Sequence, residues 1–162
     1  MSGIIGRQKE VESLETLYKS KRSEFVIIYG RRRIGKTFLV NSTFAKRMTF
    51  AYTGARNQSQ RVQLLHFAEQ LKQFSKSKFA PELKNWEDAF NQLKTLITTL
   101  PAAKRKVIFF DEMPWIDTHK SSFVAALEYF WNSWAAQRTD IMFVACGSAT
   151  SWMVDKLIEN KG

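Results

Sequence analysis

Phe25-Val26-Ile27-Ile28-Tyr29-Gly30-Arg31-Arg32-Arg33-Ile34-Gly35-Lys36-Thr37 carries the strongest structural signal in the chain. An apolar, β-branched run stops at Gly30, and the residues from Gly30 to Thr37 spell G-x-x-x-x-G-K-T. Between a strand and a helix, that spacing is a phosphate-binding loop. Gly30 and Gly35 permit dihedrals that a Cβ would forbid, so the loop can wrap an anion and turn several N–H groups inward. Lys36 brings an ammonium to the outer phosphates, and the Thr37 hydroxyl offers a hard oxygen to Mg²⁺. A helix over residues 36 to about 47 directs its positive end at the same place. The binding segment therefore comprises Gly30, Arg31, Arg32, Arg33, Ile34, Gly35, Lys36, Thr37 and Phe38.

Outward from this segment, 162 residues suit one domain with a proper core, and 44% hydrophobic with 25% charged residues is a globular composition. No apolar run reaches about 18 residues, so a membrane span is not expected. The N-terminus lacks the apolar centre of a secretory signal. The single cysteine, Cys146, excludes an internal disulfide and a thiol-rich zinc site, and a cytoplasmic location is the default expectation. The net charge of +10 is concentrated towards the N-terminus, partly in the phosphate loop itself. Lys76, Lys78, Lys84 and the run Lys104-Arg105-Lys106 either form a solvated basic surface, the favoured reading, or meet DNA or an acidic protein partner.

The remaining elements follow from periodicity. Arg7 to Lys19 reads as a helix with Val11, Leu14, Leu17 and Tyr18 on one face, and Met48 to Thr53 as a second strand closed by Gly54. Gln60 to Phe74 and Trp86 to Leu100 read as helices with aromatic stripes that face a core. Asn85 is the expected N-cap of the latter, Asp88 its reciprocal partner, and Pro101 its stop.

A second chemical signal begins at Val107. Val-Ile-Phe-Phe-Asp-Glu is an unbroken apolar run ending in two carboxylates, the pattern of a strand buried on both faces of a parallel sheet. Ligands of such sheets lie at the carboxyl ends of the strands, which places Asp111 and Glu112 beside the phosphate loop. Asp111 is the expected Mg²⁺ residue, and Glu112 the residue that orients or deprotonates an attacking water. Asp117 reads as the start of the next helix, whose apolar face carries Phe123, Leu127, Phe130, Trp131 and Trp134. Ile141 to Ala145 is a further buried strand. Ser148, just beyond it, is a candidate contact to the γ-phosphate or the water, or the N-cap of a helix over residues 149 to 158.

Together, Ile5-Gly6-Arg7 with Glu10 and Leu14, the loop from Tyr29 to Thr37, Phe110-Asp111-Glu112, and Cys146-Gly147-Ser148 with Trp152-Met153 resemble the archaeal/bacterial ATPase family of P-loop proteins, relatives of the AAA+ and STAND ATPases. The resemblance covers essentially the whole chain. It implies a three-layer α/β/α sandwich with a parallel sheet of order 5-1-4-3-2, ATP and Mg²⁺ as ligands, a cytoplasmic ATPase, and a place for Ile5, Gly6 and Arg7 near the adenine. The family keeps an arginine where Arg56 stands. It also implies a fifth strand, a helical lid and a winged-helix region that do not occur here, so a fragment of a longer protein is expected. That would leave the first strand as an exposed edge prone to self-association.

Three functional readings stay open from the sequence. The leading one is an ATPase that acts as a conformational switch, with a possible association with DNA. The second is a nucleotide-dependent interaction module with little turnover, and the third is a small-molecule kinase, for which the adjacent Asp-Glu pair is less natural. A GTPase is disfavoured, since no Asn-Lys-x-Asp sequence occurs.

Overall fold

Parallel strands buried on both faces need helices on both sides, and the computed structural model, which describes residues 7–159, has that arrangement. Four strands, β1 (Glu24–Tyr29), β2 (Met48–Thr53), β3 (Lys106–Asp111) and β4 (Ile141–Gly147), form one parallel sheet in the order β1-β4-β3-β2. The two central strands, β3 and β4, are buried along their whole length, as their unbroken apolar runs require. β1 is an edge strand and its residues are at most half-buried. The order 1-4-3-2 agrees with the expected one, and no fifth strand occurs among the described residues.

Helices α1 (Gln8–Tyr18) and α2 (Lys36–Phe44) cover one face. There Leu14, Leu39, Val40 and Phe44 pack on Val107, Phe109, Met142 and Val144. Helices α3 (Gln60–Ser75), α4 (Trp86–Thr98) and α6 (Phe123–Ser133) cover the other, which holds most of the buried aromatic residues. Alternate residues of one strand thus serve opposite cores: Ile108 and Phe110 face one, Val107 and Phe109 the other. Phe90 stacks on Phe110, and Trp86 meets Phe123 edge-on with centroids 4.9 Å apart. No helix among the described residues is long and apolar enough to cross a membrane.

Local chemistry sets several boundaries. Asn85 caps α4 by accepting the Asp88 N–H at 2.8 Å. The reciprocal bond differs from expectation, because the Asp88 carboxylate accepts from Lys84, one residue before the cap. A short helix, α5 (Met113–Ile116), intervenes directly after Glu112, where Pro114 suits a first turn that needs no N–H. Asp117 therefore ends α5 rather than starting the next helix, which begins at Phe123 behind Ser122. After β4, α7 (Thr150–Met153) runs into a π-helical turn over Val154–Ile158.

At the amino ends of the strands, away from the phosphate loop, the basic run takes a different role from either expected one. Only Lys104 is exposed, while Arg105 and Lys106 are buried. Arg105 donates to the carbonyls of Leu17, Arg22 and Thr139, tying α1, the turn before β1 and the turn before β4 together. Lys106 is fully buried and pairs with Asp140 at 2.6 Å while also donating to the Pro101 carbonyl. Arg138 closes the same group on Asp140, so it is a partner in this network and not a free surface residue. These cations hold the base of the sheet and are not available to a polyanion.

Candidate phosphate-binding site

The strand-to-helix connection from β1 to α2 is built on left-handed backbone. Gly30 has φ of 146° and Gly35 of 82°, and Arg33 between them adopts 63°. A Cβ on Gly30 would come within 3.0 Å of the Ile34 side chain, whereas one on Gly35 would meet nothing within 4 Å. Gly35 is thus required by its dihedral, and the space beside it is an open cradle. The Lys36 side chain is buried, its ammonium donating to the carbonyls of Gly30 at 2.9 Å and Arg31 at 2.6 Å. This folds the cation across the loop it belongs to. Arg31, Arg32, Arg33 and Ile34 are exposed, and Phe38 is 56% exposed on α2. The Arg32 guanidinium lies over the Trp115 ring, 5.0 Å from its centroid.

Register carries the carboxylates to the same edge. Pairing of Thr53 with Asp111 and of Tyr29 with Gly147 aligns the carboxyl ends of the strands. There the Thr37 hydroxyl donates to Asp111 Oδ2 at 2.5 Å, joining residues 74 positions apart. The other Asp111 oxygen accepts the Glu112 N–H at 2.8 Å. Two hard oxygens from distant segments converge beside the open cradle, and no described group of three or more His, Cys, Asp or Glu side chains could hold a metal unaided. That donor set fits Mg²⁺, which keeps waters and substrate oxygens about it and takes few protein ligands.

Glu112 itself is in the left-handed region, with φ of 50°. Burial pushes its carboxyl above the ordinary range and the Asp111 charge adds to this, while Arg32 and Lys36 oppose them. The turn is pressed from two sides. The Gly54 N–H donates to the Asp111 carbonyl at 2.9 Å, and a Cβ on Gly54 would lie 2.6 Å from the Glu112 carbonyl oxygen. On the other side, a Cβ on Gly147 would lie 2.6 Å from Pro114. Farther along, the Trp152 indole N–H donates to Asp117 at 3.0 Å. Ser148 follows β4 at this edge and is half-buried. It does not cap α7, whose N-cap is Ala149, without a side-chain bond. Cys146 is buried, which pushes its thiol up to about 12 and leaves it unsuited to nucleophilic work.

A cleft of about 450 Å³ opens beside the loop between α1 and β1, lined by Arg7, Glu10, Leu14, Tyr29, Ile34 and Lys36. The Arg7 guanidinium donates to the Ile34 carbonyl, joining the start of α1 to the loop. Ile5 and Gly6, expected near the adenine, lie outside the described residues. A second cleft, of about 590 Å³ between α4 and α6, contains no residue of the loop and neither Asp111 nor Glu112. Trp115 beneath Arg32 and the close approaches at Gly54 and Gly147 were not foreseen from the sequence. Only the two glycines, each at a strand end, left a trace that could have been followed.

The model of an ATPase domain predominantly from Archaea matches residues 4–162. An uncharacterized protein of Methanocaldococcus jannaschii is 27% identical over 162 residues, a match covering 98% of this chain and 32% of that protein. An uncharacterized ATP-binding protein of the same organism is 42% identical over 37 residues, covering 23% of this chain and 63% of the relative. Among solved structures, the Walker-type ATPase of Pyrococcus abyssi superposes with a TM-score of 0.66 at 19% identity, over 98% of this chain and 49% of that one. The ORC2 protein of Aeropyrum pernix, solved as ADPNP and ADP complexes, gives 0.61 at 20% identity, over 98% and 46%. At these identities the likeness is one of fold. The chain spans less than half the length of either solved structure.

Proposed function

This chain belongs to the ATPase domain family found predominantly in Archaea, and from that premise we propose that it binds Mg·ATP, hydrolyses it, and serves as a nucleotide-driven conformational switch. The observation that carries the reading is the Thr37–Asp111 contact, which joins the phosphate loop to the carboxylate strand at 2.5 Å. Support comes also from the cradle at Gly35 and from the buried Lys36.

The backbone N–H groups from Arg31 to Gly35 surround the phosphates, and the positive end of α2 faces them. Lys36 exchanges a loop carbonyl for the outer phosphate oxygens, a stronger, charge-assisted bond. Thr37 and Asp111 are the residues that would hold Mg²⁺, which when bound would supply Lewis-acid charge to the phosphate oxygens. Glu112 accepts a hydrogen bond from the attacking water and takes its proton. Its raised pKa brings it closer to the range in which a general base is effective. Arg31, Arg32 and Arg33 add positive potential at the mouth, Ser148 lies where it can contact the terminal phosphate or the water, and Phe38 borders the segment. Arg7 and Ile34 border the nucleoside side.

Glu112→Gln tests the catalytic assignment. The variant should keep the wild-type affinity for Mg·ATP and lose turnover by about 10²- to 10⁴-fold, the range for removing a general base. Turnover at the wild-type rate would remove Glu112 from its role. Release of free phosphate without an acceptor separates hydrolysis from the kinase reading.

A further inference from the structure

Gln63 is fully buried in the first turn of α3, and its carboxamide makes four hydrogen bonds. Its oxygen accepts from the Tyr52 hydroxyl at 2.6 Å and from the Ala55 N–H at 3.0 Å. Its nitrogen donates to the Ala55 carbonyl at 2.6 Å and to the Trp115 carbonyl at 3.1 Å. Two donors and two acceptors meet two acceptors and two donors, so the orientation of the amide is fixed by its surroundings. No other side chain offers both kinds of group at this length, and ionised glutamate would face two carbonyl oxygens with nothing to donate.

The segments it joins are those that frame Glu112. Ala55 follows Gly54, whose N–H holds the Asp111 carbonyl, and the Trp115 N–H donates to the Glu112 carbonyl at 3.0 Å. The Glu112 turn is therefore held at its start from the loop after β2 and at its end by Gln63, which grips that same loop. Glu112 sits in the left-handed region with no side-chain cap on α5, so these backbone bonds set the direction of its side chain.

We propose that Gln63 is a positioning residue for Glu112: it locks α5 to the loop after β2 and so aims the carboxylate at the attacking water. The proposal rests on the reading of Glu112 as the water-activating residue. Gln63 lies on the α3 side of the sheet and makes no direct contact with the phosphate loop or with the Thr37–Asp111 pair, so its loss should act on turnover far more than on nucleotide affinity.

Gln63→Met keeps the side-chain length and removes all four bonds, and Tyr52→Phe removes the hydroxyl alone. With binding stoichiometry used to count folded sites, kcat per site should fall by about 10- to 100-fold in Q63M, as expected for a misplaced catalytic group. It should fall by a smaller factor in Y52F, with Kd for Mg·ATP within about threefold of wild type in both. Because Gln63 acts through Glu112, the double variant Q63M/E112Q should turn over no more slowly than E112Q alone. Unchanged kcat per site in Y52F and in Q63M, a matching loss of affinity, or multiplied losses in the double variant would each overturn the proposal. If E112Q itself retains turnover, the underlying assignment of Glu112 fails instead, so the two failures are distinguishable. Should Q63M not fold, Y52F alone decides between a kcat effect and none.

Discussion

Lys36 and Glu112 are central to the chemistry proposed here, and each is placed by its surroundings. Lys36 is buried among loop carbonyls, so its ammonium is already placed where a phosphate would compete for it. Glu112 is held above the ordinary carboxylate value of 4.5 by burial and by Asp111. Two results follow. The acid limb of the kcat/KM profile, which reports the nucleotide-free protein, should lie above the pH at which an ordinary glutamate titrates, and should disappear in E112Q, as a pH–rate series would show. The second concerns stability: because the folded-state pKa is raised, the ionised form weakens folding above that pKa, and this penalty vanishes as pH falls below 4.5. E112Q should therefore melt at a higher temperature than wild type at neutral pH, and the gain should fade in acid. That Thr37 and Asp111 converge was legible, because the spacing puts one at the start of a helix after the loop and the other at the carboxyl end of a buried strand. Gln63 was not, because a glutamine in a helix stripe looks like any polar residue until the carbonyls around it are known.

At the scale of elements, the charged base of the sheet shows where composition misleads. Lys104-Arg105-Lys106 reads as a surface run, yet β3 begins at Lys106 and buries that side chain against Asp140 and the Pro101 carbonyl. Burial would raise the Asp140 carboxyl, but the bonds and charges of Arg138 and Lys106 outweigh it and hold the group below its usual 3.8. A depressed pKa contributes stability that is present above the unfolded value and lost as pH falls through the folded one. Asp140→Asn leaves Lys106 buried without its carboxylate and should cost about 3–5 kcal/mol in denaturant unfolding. A loss below about 1 kcal/mol, typical of an exposed pair, would show that the network is solvated. While α4 ends at Thr98, two residues before the expected Leu100, the bounds of β2 and the start of α4 were readable from periodicity and the Asn85 cap. The short helix α5 was not, since a four-residue segment has too few positions for a period, and Asp117 was misplaced as a result.

Over the whole molecule, the apolar runs of β3 and β4 predicted a parallel sheet covered on both faces, and the order β1-β4-β3-β2 brings three strand ends to one edge. The phosphate loop, the Asp111-Glu112 pair and Ser148 each follow the carboxyl end of one of three adjacent strands, β1, β3 and β4, a fact of topology that no local stretch contains. β1 remains at the border of the sheet, with its half-buried side chains beside the cleft that extends from the loop. A working nucleotide site at these strand ends is the proposal on which the others depend. Its most direct test is calorimetric titration of ATP and of GTP, with and without Mg²⁺, into this chain and into Lys36→Ala. Saturable, Mg²⁺-strengthened ATP binding is expected, with weaker binding of GTP and an affinity about 100-fold lower in the variant, as for loss of a charge-assisted bond of about 2–3 kcal/mol. Equal ATP affinity in the two folded proteins, or no ATP binding to either, would contradict that proposal.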